Sequence, residues 1–508
     1  MKIAKPHLKI FTYGLIPAIF LLFFACQTEQ EIRDNKYEEF LTQAHANGQF
    51  NGNALILKDG KIEFQGSFGI GNIDPVDPLN LNSIFRLGSV SKQFTAMGIM
   101  KLKENGKLTY DQDVRDFIPE LPYAGITIRH LLNHVSGLPN YTRLMMKNWK
   151  TDLKFDDPER FISGNNDIIK MLAEKKPAIN FKPLEKWEYS NTGYVLLASI
   201  VAQTSGMPFE KYLQEQIFEP AKMSNTVVYN YISGSDSQMA NRVYGFSVGL
   251  NGTDLISSDS HYLNPAQGDG GIYSTLDDLL KWDRILYDNM FISEETKEEA
   301  FTPAILNNGD TTSYGFGWFI DKSSTGKKVV RHGGRWVGFR AYIYREIEEN
   351  NCIIILTNNS SRYLRSVVEL LKNILHNQAY EFPKLAISET IGEVVMNKGA
   401  NAAIEQYKKL KSNKPDEYDF AENQLNRLGY QLMQLDRVDE AIEIFRLNKE
   451  EFPQSANTYD SFGDALLASG DTTQSIINFK KALAMDSTFS ATKEKIKDIE
   501  ANTMSNIK

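Results

Sequence analysis

The chain has very little cysteine. Two residues, Cys26 and Cys352, serve 508 positions, so the fold must stand on its apolar core and not on disulfide staples. Cys352 sits in the run Cys352-Ile353-Ile354-Ile355-Leu356, which reads as a buried strand. Positive charge is not in excess either. Net charge is −8, which argues against nucleic acid as a partner, because phosphate binding needs a concentrated Lys/Arg surface. No apolar run reaches the ~20 residues of a membrane-spanning helix. Long Pro, Ser or Gln tracts are missing, so little of the chain reads as disordered. Gly66, Gly69 and Gly71 do not have the dinucleotide spacing, and no Walker-type phosphate loop occurs. Nothing implies a cofactor. His130 and His134 are four apart, a spacing that holds zinc on a helix, but no Glu lies between them as in His-Glu-x-x-His, and no metal is expected.

What is present is an ordinary globular composition, 42% hydrophobic and 24% charged, over a length that implies two or three domains. Ala54-Leu55-Ile56-Leu57 and Lys61-Ile62-Glu63-Phe64 flank Asp59-Gly60, the signature of a tight hairpin. From Ser89 to Lys103, Val90, Phe94, Met97 and Met100 mark one apolar helical face. Residues 336–345 and 351–358 read as two strands joined by an acidic turn. Strands at both ends with helices between predict one antiparallel sheet covered by helices, an α+β fold. Beyond about Pro383 the texture changes. Leu425, Leu428, Gly429, Leu432, Ala441, Phe445 and Pro453 return 34 residues later as Tyr459, Phe462, Gly463, Leu466, Ser475, Phe479 and Ser487. A fixed period of this length marks stacked helical hairpins, with 391–410 as an earlier degenerate unit and 490–501 as a polar cap. These positions are expected to bury against each other and not against the preceding region.

Three clusters carry chemistry. The first is Ser89-Val90-Ser91-Lys92. A serine hydroxyl is a weak nucleophile without a base in reach, and residues three apart at a helix start share a face, so Lys92 can meet Ser89 while Ser91 faces elsewhere. The second is Tyr189-Ser190-Asn191. A phenol held between cations can exchange its proton as general base and acid, and the Asn191 amide can meet Lys92 or a substrate carbonyl. The third is His332-Gly333-Gly334, followed by Arg335. Glycines at a strand start allow close backbone approach, and an N–H just after them could join that of Ser89 as an oxyanion hole.

In this order the three clusters resemble the serine β-lactamase and penicillin-binding-protein superfamily, most closely the branch of class C β-lactamases, D-stereospecific peptidases and related esterases. The similarity covers about 38–374 and includes Leu131-Leu132-Asn133-His134-Val135-Ser136-Gly137-Leu138-Pro139 and Gly268-Asp269-Gly270-Gly271. It implies a sheet flanked by helices plus an all-helical subdomain. It also implies an acyl-enzyme on Ser89, proton transfer by Lys92 and Tyr189, substrate orientation by Asn191, and an oxyanion hole from the backbone of Ser89 and Arg335. His332, Gly334 and Arg335 line the substrate. One position departs from the family pattern. β-Lactamases and many DD-peptidases carry Lys-Thr-Gly at the third cluster, with the lysine attracting the substrate carboxylate, and here His332 stands there. A neutral histidine attracts an anion weakly, which implies weak or absent β-lactam turnover unless Arg331 or Arg335 supplies the charge. The 34-residue units resemble tetratricopeptide repeats, which implies a protein or peptide partner.

The first residues are a separate material. Lys2, Lys5 and Lys9 precede the apolar stretch from Ile10 to Ala25, and Cys26 follows. This resembles a bacterial lipoprotein signal, with Cys26 lipidated and the protein held on a membrane of the cell envelope, facing the periplasm or the surface. The expected division is a signal over 1–26, a hydrolase domain over 27–380 and a helical repeat domain over 385–508. The leading reading is an exported serine hydrolase acting on D-amino-acid peptides of the cell-wall type, or on small esters and amides. The competing reading is a non-catalytic peptide or peptidoglycan-binding protein whose repeats recruit a partner. Retention of Ser89, Lys92, Tyr189 and His332 favours the enzyme.

Overall fold

The computed structural model describes residues 29–150, 153, 157–230, 239–323 and 325–505. The expected signal and Cys26 lie outside the described residues. A helix α1 (Glu29–Ala46) leads into the hairpin β1 (Gly52–Lys58) and β2 (Lys61–Phe68). Asp59 and Gly60 turn it with φ of 50° and 72°, the left-handed pair that matches strand twist. Four more strands come from the far end of the region: β3 (Phe319–Lys322), β4 (Lys328–Trp336), β5 (Phe339–Glu346) and β6 (Asn351–Thr357). All six pair antiparallel in the order β3-β4-β5-β6-β1-β2, so the two ends of the region close one sheet. The sequence reading found β5 and β6 but not the full length of β4. His332 and its glycines lie in the second half of that nine-residue strand, not at its start.

The sheet is apolar on both faces. Ala54, Ile56, Ile353 and Ile355 turn outward beneath α1 and a helix α4 (Leu364–Leu375). On α1, Tyr37, Phe40, Leu41 and Ala44 keep the i, i+3, i+4, i+7 spacing of one helical stripe. Leu55, Leu57, Ile354 and Leu356 turn inward to the main core. That core is organised on two helices, α2 (Lys92–Glu104) and α3 (Asn191–Ser205), which lie in contact at Gly98 and Val201. Ten of the thirteen residues of α2 and nine of the fifteen of α3 are buried.

After α4 the chain is helical, in three antiparallel pairs and a final helix: α5 (Ile387–Lys398) with α6 (Ala400–Asn413), α7 (Glu422–Gln434) with α8 (Val438–Glu451), α9 (Ala456–Ala468) with α10 (Thr472–Met485), then α11 (Ser490–Ser505). The 34-residue positions fall at equivalent places in successive pairs. A Cβ on Gly429 would overlap the Phe445 ring, and one on Gly463 would come within 2.6 Å of Phe479. Each glycine therefore makes room for the aromatic ring of its own pair. The repeat positions bury among the helices themselves, and the near end of the region also touches the preceding one. Leu250, from the loop between two short strands of the preceding region, packs into the apolar cluster of the helices. Tyr363 Oη accepts from Ala386 N at 2.9 Å, Gln49 Nε2 donates to Pro383 O at 3.0 Å, and Arg362 faces Glu389 at 3.6 Å. No helix among the described residues is long and apolar enough to cross a membrane.

Replacing Gly429 by Val should cost about 1–3 kcal/mol by overpacking the Phe445 ring. Scanning calorimetry should show a lowered transition, and a companion Phe445→Leu should recover much of the loss by vacating the space. A Gly429→Val protein with an unchanged transition would mean that the two helices are not packed this tightly.

Candidate active site

Ser89 stands on a single 3-10 turn, Gly88–Ser91, that feeds directly into α2 at Lys92. In a 3-10 turn, side chains at i and i+3 eclipse, which brings Ser89 and Lys92 closer than an α-helical start would. Lys92 Nζ lies 3.0 Å from Ser89 Oγ. It also donates to Asn191 Oδ1 at 2.9 Å and to the carbonyl oxygen of Asp269 at 2.7 Å. The lysine is fully buried. Burial disfavours its charge and brings its pKa down to about 7, even though the Asp269 carboxylate opposes this. An amine with that pKa is half unprotonated at neutral pH and able to take a proton from Ser89. Ser91 faces elsewhere, as its offset implied, and accepts from Ile272 N at 3.1 Å.

Asn191 is the first residue of α3, and with its Oδ1 held by Lys92 its Nδ2 is directed away from the lysine. The Tyr189 ring lies 4.9 Å from Lys92 Nζ. The neighbouring Ser89 hydroxyl lowers the phenol's pKa, but burial outweighs it and pushes the pKa well up. The phenol thus holds its proton here and is poised to donate rather than to act as the first base. Under Tyr189 sits His134, its ring centroid 4.2 Å away, in a left-handed backbone turn with φ of 58°. Its Nδ1 accepts from Ser190 N at 3.3 Å, which ties the Asn133–His134 loop to the Tyr189 segment. His130 instead caps its own helix start through Thr127.

The third cluster approaches from β4. A Cβ on Gly334 would overlap Leu87 O and come within 3.3 Å of Ser89 N, and a Cβ on Gly88 would lie 2.6 Å from Arg335 N. Gly88 also has φ of +52°. The serine turn and the strand edge are therefore in backbone contact, with the N–H groups of Ser89 and Arg335 at the contact. This is the arrangement an oxyanion hole needs.

His332 occupies a different place from the one its sequence position suggested. It is 1% exposed. Its Nδ1 lies 2.8 Å from Gly333 O, and a carbonyl only accepts, so Nδ1 carries the hydrogen. Nε2 is then the acceptor and takes the Tyr314 hydroxyl at 2.9 Å. Burial and the nearby Lys92 lower its pKa to about 3. Both ring nitrogens are spent within the protein, so the expected hydrogen bond from His332 to substrate is corrected to a bond with Tyr314. Tyr314 had no recognisable signal in the sequence. The role of Asp269 lay inside a quoted landmark, but its part as a carbonyl partner of Lys92 did not.

A cavity of about 420 Å³ opens beside Trp336 and Val337, walled by Met146, His261, Tyr262 and Leu263, with Thr142 and the exposed cation Arg143 also on its lining. Trp336 is fixed by Nε1 donating to Asn264 Oδ1 at 2.6 Å and by the Arg86 guanidinium 4.8 Å from its ring. The His261 ring meets it edge-on at 5.2 Å, with its pKa lowered by burial to about 4, so this wall is neutral at pH 7. A larger cavity of about 650 Å³ lies elsewhere, around Arg129, His130 and Ile305, and includes none of the three clusters.

Because Gly334 has no room for a side chain against Leu87 O, Gly334→Ala should force the strand edge away from Ser89. Losing one oxyanion donor costs about 10²–10³-fold in kcat. The expected outcome is a folded protein, by circular dichroism, with hydrolysis of a small ester reduced by that order. Full activity in the variant would place the oxyanion donors elsewhere.

Residues 35–371 match the family model described as Beta-lactamase. Penicillin-binding protein 4* of Bacillus subtilis (strain 168) is 39% identical over 345 residues, covering 66% of this chain and 74% of that protein. D-aminopeptidase of Gluconobacter oxydans (strain 621H) is 23% identical over 311 residues, covering 61% and 56%. Among solved structures, the octameric penicillin-binding protein homologue from Pyrococcus abyssi superimposes with a TM-score of 0.60 at 26% identity, over 70% of this chain and 81% of that one. A buried lysine beside a serine, a strand edge in contact with the serine turn, and a family match over most of the region that builds them lead to one assignment: the chain belongs to the beta-lactamase family of penicillin-binding-protein-like serine hydrolases.

Proposed function

We propose that the protein is an exported hydrolase that forms an acyl-enzyme on Ser89 and acts on D-amino-acid peptides of the cell-wall type or on small esters and amides. The observation that carries the reading is the Lys92 amine, buried, 3.0 Å from Ser89 Oγ and with its pKa brought to about 7. Neutral Lys92 takes the Ser89 proton as Oγ attacks the substrate carbonyl. The N–H groups of Ser89 and Arg335 receive the developing oxyanion. Tyr189, still protonated, gives its proton to the departing amine or alkoxide and recovers one from Lys92. Water then attacks the ester, the same groups handle its proton, and Ser89 is released. Asn191 orients the substrate through Nδ2.

The expected weakness toward β-lactams rested on a neutral ring at His332 in place of a lysine. Burial keeps that ring neutral, so it offers a substrate carboxylate no charge. We also propose that the signal-like start places the protein on a membrane of the cell envelope through lipidated Cys26. The helical region from about 385 is proposed as a separate unit of tetratricopeptide type that recruits a protein or peptide partner. Its support is the 34-residue spacing and the Gly429–Phe445 and Gly463–Phe479 packing.

A fluorescent serine-reactive phosphonate should label the wild type and not Ser89→Ala, and D-configured amides should be turned over faster than their L counterparts. A wild type that takes no label would favour the non-catalytic binding reading. The labelling rate should also report Lys92. Only the unprotonated amine is a base, so the rate should fall about tenfold per pH unit below about 7 and level off above it. Lys92→Met should lose about 10²–10⁴-fold and lose that titration. A flat profile in the wild type would remove Lys92 as the base.

A further inference from the structure

The cavity of about 650 Å³ around Arg129 and Ile305 holds none of the three clusters, yet it shares two walls with them. One wall is the Asn133–Val135 loop. Asn133 and Val135 line the cavity, and His134 between them packs against the Tyr189 ring. The other wall is the loop 314–317. Phe316 lines the cavity, while Tyr314 donates to His332. In the same loop a Cβ on Gly317 would lie 2.9 Å from Gln93 N and 3.0 Å from the Lys92 carbonyl carbon. The cavity thus backs onto the segments that hold Lys92, Tyr189 and His332. Its volume is in the range of small-molecule sites.

Much of the lining is apolar, from Val135, Leu184, Pro303, Ala304, Ile305 and Phe316. Four carboxylates and one cation complete the charged part, and most of them are spent. Arg129 lies 3.4 Å from Asp111 and 4.0 Å from Glu299, with its guanidinium 4.9 Å from the Tyr110 ring. Lys103 reaches Glu299 at 3.5 Å, and Lys328 reaches Glu298 at 2.7 Å. His130 adds no charge at pH 7, because burial lowers its pKa. Glu295 differs from the other acids. It is exposed, and its carboxylate has no ion pair among the described residues. Asn133 is 4% exposed, and its Oδ1 has no hydrogen-bond partner. The cavity therefore has an unpaired carboxylate at its mouth and an unspent amide oxygen at its inner end.

We propose that this cavity is a second binding site, for an organic cation that buries an apolar body and sets its ammonium against Glu295. Its occupancy is felt at Ser89 through the two shared walls. At the mouth the ammonium keeps part of its water, so the pair forms without the full cost of burying a charge. A neutral ligand of the same shape gains only the apolar contact, and an anion meets Glu295 with repulsion. A ligand that alters how far Tyr189 and His332 can move alters acylation. The site goes beyond the hydrolase reading, and only its effect on Ser89 rests on that reading.

The test uses the full-length protein and three probes of one shape: 4-phenylbutylamine, 4-phenylbutanol and 4-phenylbutyrate. Titration calorimetry should show the amine binding at least about tenfold more tightly than the alcohol, with the acid weakest. Glu295→Gln should bring the amine to the level of the alcohol and leave the alcohol unchanged. Ala304→Trp, which fills the cavity, should abolish binding of both, with circular dichroism to check the fold. If that variant does not fold, Glu295→Gln, at an exposed position, still decides. Equal binding of amine and alcohol, no binding of the amine, or a preference that survives Glu295→Gln overturns the cation site. Saturating amine should also change the rate at which a serine-reactive phosphonate labels Ser89 by about fivefold or more, in the wild type and not in Glu295→Gln. An unchanged labelling rate with the site filled overturns the coupling. Calorimetry does not use Ser89, so a protein that binds the amine and never takes the label removes the hydrolase reading and leaves the site standing.

Discussion

An amine taken out of water is the constraint on which the rest of the site depends. Lys92 has no solvent contact, and an isolated buried ammonium would be very costly. The fold offsets that cost in two ways. It supplies three oxygens, from Ser89, Asn191 and Asp269, and it lets the pKa fall to about 7 so that the charge need not be kept. Those oxygens come from three places far apart in the chain: the turn before α2, the start of α3, and the 268–271 loop. Holding them around one nitrogen depends on the mostly buried packing of α2 and α3. The rigid interior and the tuned base are thus the same feature seen at two scales.

The second requirement is an approach of backbone to backbone. β4 reaches the serine turn only because Gly88 and Gly334 have no side chains at the contact. The sheet sets where that edge lies. Its strands come from residues 52–68 and 319–357, and α1 and α4 cover the outer face, so the edge is held from behind by an apolar layer. His332 belongs to this scaffolding. A neutral ring donating to Gly333 O and accepting from Tyr314 fixes the strand's conformation beside the nucleophile. In that position, a lysine would meet buried Lys92 and Tyr314 without a carboxylate partner.

The helical region is tied to the hydrolase region more firmly than a flexible tether would be. Leu250 enters its apolar cluster, and the strands on either side of the Leu250 loop are anchored near the β4–β5 turn, where Gly338 N donates to Ser258 O at 2.8 Å. The helices and the cleft therefore share a structural neighbour, although their apolar clusters are distinct.

Features that depend on neighbours along the chain were legible before the fold. Ser89 and Lys92 meet because they are three apart in one turn, and this geometry needs no other element. The Asp59-Gly60 hairpin and the 34-residue helical pairs were legible for the same reason, since their period or turn chemistry is local. Tyr189 and Asn191 were legible through the resemblance of their cluster to a family, although only the fold shows that Lys92 holds Asn191 and that burial keeps the Tyr189 proton on. Tertiary structure alone decided the rest. His332 looked like a substrate contact, but the face of β4 it occupies and the arrival of Tyr314 from 18 residues away sealed it inside. Asp269 became a partner of Lys92 through its carbonyl, which any residue type could offer. Arg335 and Arg340 became a like-charged pair only when β4 and β5 adopted their register. In each of these cases the deciding quantity is a distance between residues remote in sequence or the withdrawal of a group from water, and neither is written in local spacing.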